Sequence, residues 1–208
     1  VNMNMNMITA WETGTAKHYG NDPNGNACGN KEPMNDYLAT GGDQWDYGYG
    51  CGACYEIRCK NPGHNDCWCY HNNPVTVQLI NKCSECRNPG GPDFDLKTAT
   101  RDKITNCDVV EIEWQRTTCP INGNIKVEWK GGNHHWVGLY VYNVGGRGKL
   151  IDRNNAIQLI SKSGEWFGCE RDLASENYWL CNGGSALWDD YPYDIKFIDD
   201  QWKEVIGY

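Results

Sequence analysis

The carboxylate best suited to acid–base chemistry is Asp95, in the segment Pro92-Asp93-Phe94-Asp95-Leu96. It stands between a predicted strand and a predicted short helix, and its neighbours Phe94 and Leu96 would desolvate it. Desolvation disfavours the charged form of a carboxyl group and raises its pKa, which is what a general acid requires. The alternative interpretation is that Asp95 caps the N-terminus of the helix that follows.

Cysteine is the second residue type whose spacing suggests chemistry. Two C-x-x-C pairs are present, Cys51-Gly52-Ala53-Cys54 and Cys83-Ser84-Glu85-Cys86. Two thiolates at this spacing can chelate one zinc ion, but residues 55–82 form a longer interval than a zinc ribbon uses. The total of 12 cysteines is even and high for 208 residues, which favours a disulfide scaffold in a secreted, extracellular protein. We therefore expect disulfides and no metal site.

The composition excludes several classes of function. The formal net charge is -8, and such an acidic surface repels phosphate, so we expect no nucleic acid or membrane partner. The sequence contains neither a P-loop nor a Gly-x-Ser-x-Gly motif, which disfavours nucleotide binding and serine-type hydrolysis, and we expect no cofactor. By contrast, 10 Trp and 12 Tyr supply flat rings with a polar edge that suit a sugar-like ligand.

Alternating apolar and polar residues predict an all-β chain. Strands are predicted at residues 75–80, 109–114, 125–129, 136–142 and 194–198, with one short helix after Asp95. Ten cysteines lie between Cys28 and Cys119 and only two lie beyond. We therefore predict two domains, 1–120 and 121–208, with the boundary at the turn-rich segment 120–124.

The predicted strand 136–142 has two distinct faces. Val137, Leu139 and Val141 lie on one face, which is typical of a core, and the other face consists of a glycine and three aromatic rings, Trp136, Gly138, Tyr140 and Tyr142. An open aromatic face would stack on sugar rings. The alternative is that both faces are buried inside a sandwich.

Several segments together resemble the expansin family. The segment Tyr49-Gly50-Cys51-Gly52-Ala53-Cys54-Tyr55-Glu56-Ile57-Arg58-Cys59-Lys60 is similar to the family signature, and Phe94-Asp95-Leu96 is similar to its His-Phe-Asp-Leu motif. Asn26-Ala27-Cys28-Gly29, Asn73–Val77 and Val109–Cys119 resemble further parts of the first domain. Trp136–Gly146, Glu165-Trp166 and Asn177-Tyr178-Trp179 resemble the second domain.

The resemblance implies a fold and a function. The fold is a six-stranded double-psi β-barrel, shared with family 45 glycoside hydrolases, followed by an immunoglobulin-like β-sandwich similar to a family 63 carbohydrate-binding module. The function is to bind cellulose, β-glucan or xylan-coated cellulose, as a monomer, and to loosen the wall network without hydrolysis. The alternatives are an inverting β-1,4-endoglucanase and a lectin-like binding module.

The resemblance also implies roles for individual residues. Asp95 matches the acid of the related hydrolases, whereas the base position falls at Gly20 or Asn21, neither of which can activate water. A shift of two residues in the alignment would make Asp22 the base. Tyr19, Tyr55 and Asn81 are the candidates for the barrel groove. The sandwich would bind through Trp136 and either Tyr178 or Trp179, and Trp166 is as consistent with a core residue as with a ligand.

Disulfide pairing follows from the same resemblance. It implies Cys28 with Cys51, Cys54 with Cys119, and Cys59 with Cys67 or Cys69. Cys169 and Cys181 would pair in the second domain, Cys83 with Cys86, and Cys107 with whichever of Cys67 and Cys69 remains.

Three positions depart from the family pattern: Lys17 stands for threonine, Asn81 for aspartate and Asp93 for histidine.

Overall fold

The computed structural model describes residues 10–20, 27–29, 36–61, 66–70, 73–87, 91–133, 135–151, 155–172, 178–183 and 193–207. Strands dominate this part of the chain, and the predicted all-β class is confirmed. Asp22 lies outside the described residues. None of the described helical segments has the length or the apolar character of a membrane span.

The first six strands close into a barrel with the order β1-β5-β2-β4-β3-β6. Strand β5 runs parallel to β1, and β4 runs parallel to β2. The strands are β1 (Glu12–Gly20), β2 (Leu38–Gly41), β3 (Cys54–Asn61), β4 (Val75–Lys82), β5 (Phe94–Lys97) and β6 (Val109–Arg116). Helix α1 (Thr98–Ile104) follows β5, and two 3-10 segments occupy Asp43–Gly48 and Glu85–Arg87.

The barrel core follows from the alternation of apolar residues along these strands. Phe94 and Leu96 of β5 and Ile112 of β6 are completely buried. Phe94 packs edge-to-face against Tyr55 and Trp114, with ring centroids 5.2 and 5.4 Å apart. Because neighbouring residues on a strand point to opposite faces, the burial of Phe94 and Leu96 turns Asp95 away from the core.

The remaining seven strands form one curled sheet with the order β13-β12-β9-β10-β11-β8-β7. The core of this sheet contains Val137 and Leu139, which confirms the predicted apolar face of the strand at residues 136–142. The strands are β7 (Lys126–Gly132), β8 (Trp136–Tyr142), β9 (Ile157–Ile160), β10 (Trp166–Arg171), β11 (Trp179–Asn182), β12 (Asp194–Ile198) and β13 (Glu204–Gly207).

Backbone hydrogen bonds join the barrel to this sheet. The amide of Cys54 donates to the Arg147 carbonyl over 3.1 Å, and the amide of Cys119 donates to the Gly146 carbonyl over 2.8 Å. Nearby, Gly52 and Gly148 have positive φ angles of 80° and 86°, and a Cβ on either would collide with the other's carbonyl oxygen. The two units therefore touch where only glycine fits.

Five disulfides are present, with pairs Cys28–Cys51, Cys54–Cys119, Cys59–Cys69, Cys83–Cys86 and Cys169–Cys181. The expectation that Cys67 joins the Cys59 bridge is wrong, because Cys69 takes that place with a Cα–Cα distance of 5.5 Å. Neither Cys67 nor Cys107 is in a disulfide. They form a hydrogen bond with each other, and this bond, followed by burial, raises the pKa of Cys67 to about 11.

Candidate functional site

Strand pairing brings four polar residues into one row across the barrel. The pairing register places Asn81 of β4 beside Thr40 of β2, Thr40 beside Asp95 of β5, and Asp95 beside Lys17 of β1. Residues paired in register share a face of the sheet, and adjacent strands lie about 4.8 Å apart, so this polar row spans roughly 14 Å. The polar row is the candidate site on the barrel.

Asp95 is the half-buried carboxyl at the centre of the polar row. Burial raises the pKa of Asp95 most strongly, the charge of Lys17 lowers it, and the charge of Glu85 raises it. The alternative that Asp95 caps the helix is wrong, because Asp95 belongs to β5 and the N-cap of α1 is Lys97. Among the described residues, Asp95 Oδ1 and the neighbouring Thr40 Oγ1 are buried without a hydrogen-bond partner.

A short segment after β4 covers one side of Asp95. Asp95 Oδ2 lies 3.2 Å from the Sγ atom of Cys83. Because Cys83 is in a disulfide with Cys86, its sulfur has no proton to donate, and this approach is a hydrogen bond only when the carboxyl group is protonated and donates. Glu85, from the same segment, binds Lys17 with an Oε2–Nζ distance of 2.6 Å.

The pKa values of Asp95 and Glu85 shift in opposite directions. The hydrogen bond and charge of Lys17 lower the pKa of Glu85, whereas burial raises the pKa of Asp95. Thr40, Glu85 and the Cys83–Cys86 disulfide were not identified as site residues from the sequence. Lys17 departs from the family pattern, but its pairing with Glu85 depends on a tertiary arrangement that local sequence does not reveal.

The structure places the three predicted groove residues in different surroundings. Asn81 lies in the polar row, and its Oδ1 accepts a hydrogen bond of 3.0 Å from the Ala27 amide. Tyr19 follows Lys17 by two residues on β1 and is partly buried. Tyr55 does not line the groove, because it is only 5% exposed and packs among Phe94 and Trp114. That prediction is corrected, since a core ring has no face available to a sugar.

Asp93 lies close to Asp95 in sequence, but its carboxyl group has a structural role. Its Oδ2 accepts a hydrogen bond of 2.8 Å from the Thr15 amide. A Cβ on Gly14 would overlap the Asp93 carboxyl group, so glycine is needed there to admit it. Asp93 anchors β1 to the segment that precedes β5.

The second part of the candidate site lies on the curled sheet of β7–β13, which is the β-sandwich unit of the chain. It is a group of three rings, Trp136, Tyr178 and Tyr140, which we call the aromatic strip. A Cβ on Gly138 would stand 3.1 Å from the Tyr178 ring and 3.2 Å from the Trp136 ring, so this glycine lets both rings lie over β8. The Tyr140 and Tyr178 rings meet edge-to-face with centroids 6.2 Å apart. All three side chains are partly exposed.

Of the two candidates for the distal ring, Trp179 is wrong. It is 2% exposed and belongs to the sandwich core, where it faces Tyr49 of the barrel with centroids 6.3 Å apart. Tyr178 takes the exposed position because adjacent residues point to opposite faces. Trp166 is 49% exposed and lies under the Lys196 ammonium group at 5.0 Å, so it is not a core residue.

The aromatic strip reaches the barrel at Tyr140. A Cβ on Gly29 would stand 2.7 Å from the Tyr140 ring, so the strip ends against the loop that carries Cys28 and Gly29. The Cys28 amide donates to the Ile80 carbonyl over 3.0 Å, and Ile80 precedes Asn81. A series of contacts thus links the strip on the sandwich to the polar row on the barrel.

Known proteins share this sequence pattern. Expansin-B1 of Zea mays is 29% identical over an alignment that covers 99% of this chain and 80% of that relative. Expansin-A17 of Oryza sativa subsp. japonica is 31% identical, with 67% of this chain and 56% of that relative covered. No family model matches the chain.

The chain is similar to expansins over almost its whole length. Solved expansin structures share its fold across both units. The crystal structure of the apo expansin of Clavibacter michiganensis superposes with a TM-score of 0.72 at 19% identity, covering 95% of this chain and 90% of that one. An aspartate-to-asparagine mutant of the same expansin, solved in complex with cellohexaose, superposes with a TM-score of 0.71 at 17% identity.

Proposed function

We propose that this is an expansin-like protein that binds β-1,4-glucan, as cellulose or xylan-coated cellulose, and loosens wall polysaccharide networks without cutting them. The observation that carries the proposal is the path from the aromatic strip to the polar row, which offers flat rings at one end and a half-buried carboxyl group at the other. The bacterial expansin bound to cellohexaose supports a glucan as the ligand. The five disulfides support a secreted location, and we propose that the protein acts as a monomer.

In this proposal the aromatic strip holds the polymer and Asp95 disturbs its contacts. Aromatic rings stack on the apolar faces of sugars, at about 1 kcal/mol for each ring. A protonated Asp95 donates a hydrogen bond to a glucan hydroxyl or glycosidic oxygen, and Asn81 offers its amide group beside it. Exchange of chain–chain hydrogen bonds for chain–protein hydrogen bonds lets two glucan chains slip without a covalent step.

Inverting hydrolysis would need a second carboxylate that activates water, roughly 6.5–9.5 Å from the acid. At the aligned base position, Gly20 has no side chain and Asn21 carries an amide instead of a carboxylate. Asp22 is the candidate base of the alternative endoglucanase. Glu85 is a second acidic group close enough to Asp95 to affect its pKa, but its carboxylate is engaged by Lys17.

The test compares the wild type with Asp95→Asn and the matched control Asp93→Asn, whose carboxyl group contacts Thr15 instead. We expect Asp95→Asn to lose extension of heat-inactivated wall specimens under constant load, while its binding to insoluble cellulose stays within about twofold of the wild type. Asp93→Asn should retain extension if it folds, which circular dichroism would show.

Two results would overturn the proposal. Release of reducing sugars from carboxymethyl cellulose by the wild type would establish a glucanase, and its loss in Asp22→Ala or Glu85→Gln would identify the base. Binding of the wild type to cellulose without any extension of wall specimens would establish a binding module alone.

A further inference from the structure

The Cys83–Cys86 disulfide has a chemical environment that the proposed function does not use. We propose that it is a thiol–disulfide exchange site, in which a small thiol attacks Cys86, Cys83 is the leaving group, and Asp95 supplies the proton that the leaving sulfur takes up. The ligand class is a low-molecular-weight thiol. The inference does not depend on glucan binding or wall loosening.

The two cysteines of this bridge differ in exposure. Cys83 is 2% exposed, whereas Cys86 is partly exposed and lies in the Glu85–Arg87 turn. An incoming thiolate must approach along the S–S axis, so the more accessible sulfur is the one attacked. This assigns Cys86 as the electrophile and Cys83 as the leaving group.

The environment of Cys83 suits a leaving thiolate. The backbone N–H of Cys86 donates to Cys83 Sγ over 3.0 Å, and Asp95 Oδ2 lies 3.2 Å from the same sulfur. A hydrogen-bond donor stabilises developing negative charge on sulfur, and a protonated carboxyl group can neutralise it. Burial raises the pKa of Asp95, so its carboxyl group keeps this proton to a higher pH than an exposed aspartate does.

Sulfurs of other bridges face oxygen atoms that have no proton to give. Cys28 Sγ lies 3.7 Å from the Leu79 carbonyl oxygen, and Cys119 Sγ lies 3.5 Å from the Gly52 carbonyl oxygen. Cys169 and Cys181 are fully buried. A carbonyl oxygen repels a developing thiolate, and burial denies access to the attacking thiol. Cys83–Cys86 should therefore exchange before Cys28–Cys51, Cys54–Cys119 and Cys169–Cys181.

The exchange is balanced in two steps. The thiolate RS⁻ forms a bond to Cys86 Sγ while the Cys83–Cys86 bond breaks, and Asp95 passes its proton to the Cys83 thiolate and becomes a carboxylate. A second RS⁻ then attacks the sulfur of R in the mixed disulfide and releases Cys86 as a thiolate, which is protonated by solvent. The net reaction reduces one protein disulfide to two thiols and oxidises two RSH to RSSR.

Reduction leaves the barrel in place but changes Asp95. Only three positions separate Cys83 from Cys86, so opening this bridge frees a short segment and leaves the other four disulfides intact. The new Cys83 S–H faces Asp95 Oδ2 and can donate to it. A hydrogen bond to the charged form of a carboxyl group lowers its pKa, so the reduced protein should hold Asp95 ionised at lower pH than the oxidised protein does.

The experiment treats the oxidised full chain with 2-mercaptoethanol, quenches samples with acid and iodoacetamide, and locates modified cysteines by peptide mass spectrometry. Within this pair we expect the first mixed disulfide on Cys86, and we expect loss of Cys83–Cys86 at least about tenfold faster than loss of Cys169–Cys181, the internal reference. A first adduct on Cys83, or equal rates for the two bridges, would overturn the proposal.

A pH profile tests the part played by Asp95. After division by the thiolate fraction of the reagent, the wild-type rate constant should fall as pH rises through the Asp95 pKa, because the proton donor is lost. Asp95→Asn should show no such fall, and Asp93→Asn should follow the wild type. A fall that persists unchanged in Asp95→Asn would show that Asp95 does not deliver the proton.

Discussion

Arg116 of the barrel and Asp200 of the sandwich form an ion pair, with an Nη2–Oδ2 distance of 2.9 Å and side chains only 16% and 12% exposed. Arg116 also donates to the Cys54 carbonyl over 3.2 Å and lies over the Tyr55 ring at 5.0 Å. One guanidinium group thus connects the barrel core to the turn before β13.

Removal of one charge of the Arg116–Asp200 pair should lower the free energy of unfolding. In Asp200→Asn the Arg116 charge loses its counterion in a mostly buried place, so we expect the free energy of unfolding to fall by about 2 kcal/mol. Chemical denaturation measures this change. The matched control is Glu111→Gln, which breaks the exposed Lys60–Glu111 pair of 2.8 Å and should cost less than about 1 kcal/mol. Equal losses in the two variants would contradict the assignment.

Stability should depend on pH through Asp95. Since burial raises its pKa above the ordinary 3.8, the folded state binds this proton more tightly than the unfolded chain does. The free energy of unfolding therefore loses this contribution as pH rises from the ordinary pKa through the raised one. Asp95→Asn lacks this loss, so the Tm difference, variant minus wild type, should increase over that range. A difference that is constant with pH would show that Asp95 titrates normally.

Binding to insoluble cellulose should depend on the aromatic strip. Trp136→Ala removes a partly exposed ring, and we expect the Kd to rise about fivefold, corresponding to roughly 1 kcal/mol for one stacking contact. Trp202→Ala is the matched control, because Trp202 is 61% exposed and lies between β12 and β13, far along the sheet order from β8. The strip would lose its assigned role if both variants bound equally.

A sixth disulfide should form between Cys67 and Cys107. Their hydrogen bond brings the two sulfurs together, and oxidation by air needs no rearrangement of the other five bridges. We expect protein purified without reductant to show no alkylated cysteine after denaturation, and a digest to contain a peptide that links Cys67 to Cys107. Recovery of both residues in alkylated form would show that they remain thiols.

Local patterning predicted much of the fold. Strand β8 was predicted with the bounds that the structure has, Trp136–Tyr142, because strict alternation with a glycine gives a strong period-two signal. The resemblance to expansins supplied the barrel and sandwich, which strand patterns alone do not distinguish from other all-β folds. It also implied the bridge between Cys54 and Cys119, a pair separated by 65 positions.

Errors arose where neighbouring residues differ only in which face they occupy. The resemblance places Tyr55, and either Tyr178 or Trp179, on the binding surface, yet Tyr55 and Trp179 are core residues. The choice between Cys67 and Cys69 required three-dimensional distances. Thr40 and Glu85 carry no motif, and only the pairing of β2 and β5 and the Lys17 ion pair bring them to Asp95.

The junction at Cys119 has a mechanical consequence. The chain leaves the barrel at a residue that is covalently tied to β3 through Cys54, and both cysteines donate backbone hydrogen bonds to the 146–147 turn of the sandwich. A force on the sandwich, such as a sliding polymer would exert, therefore passes into the barrel through this disulfide and these backbone hydrogen bonds. Tension at the aromatic strip therefore enters the barrel at β3 and just after β6, and only the hydrogen bonds between strands of the closed barrel carry it on to β5, where Asp95 lies.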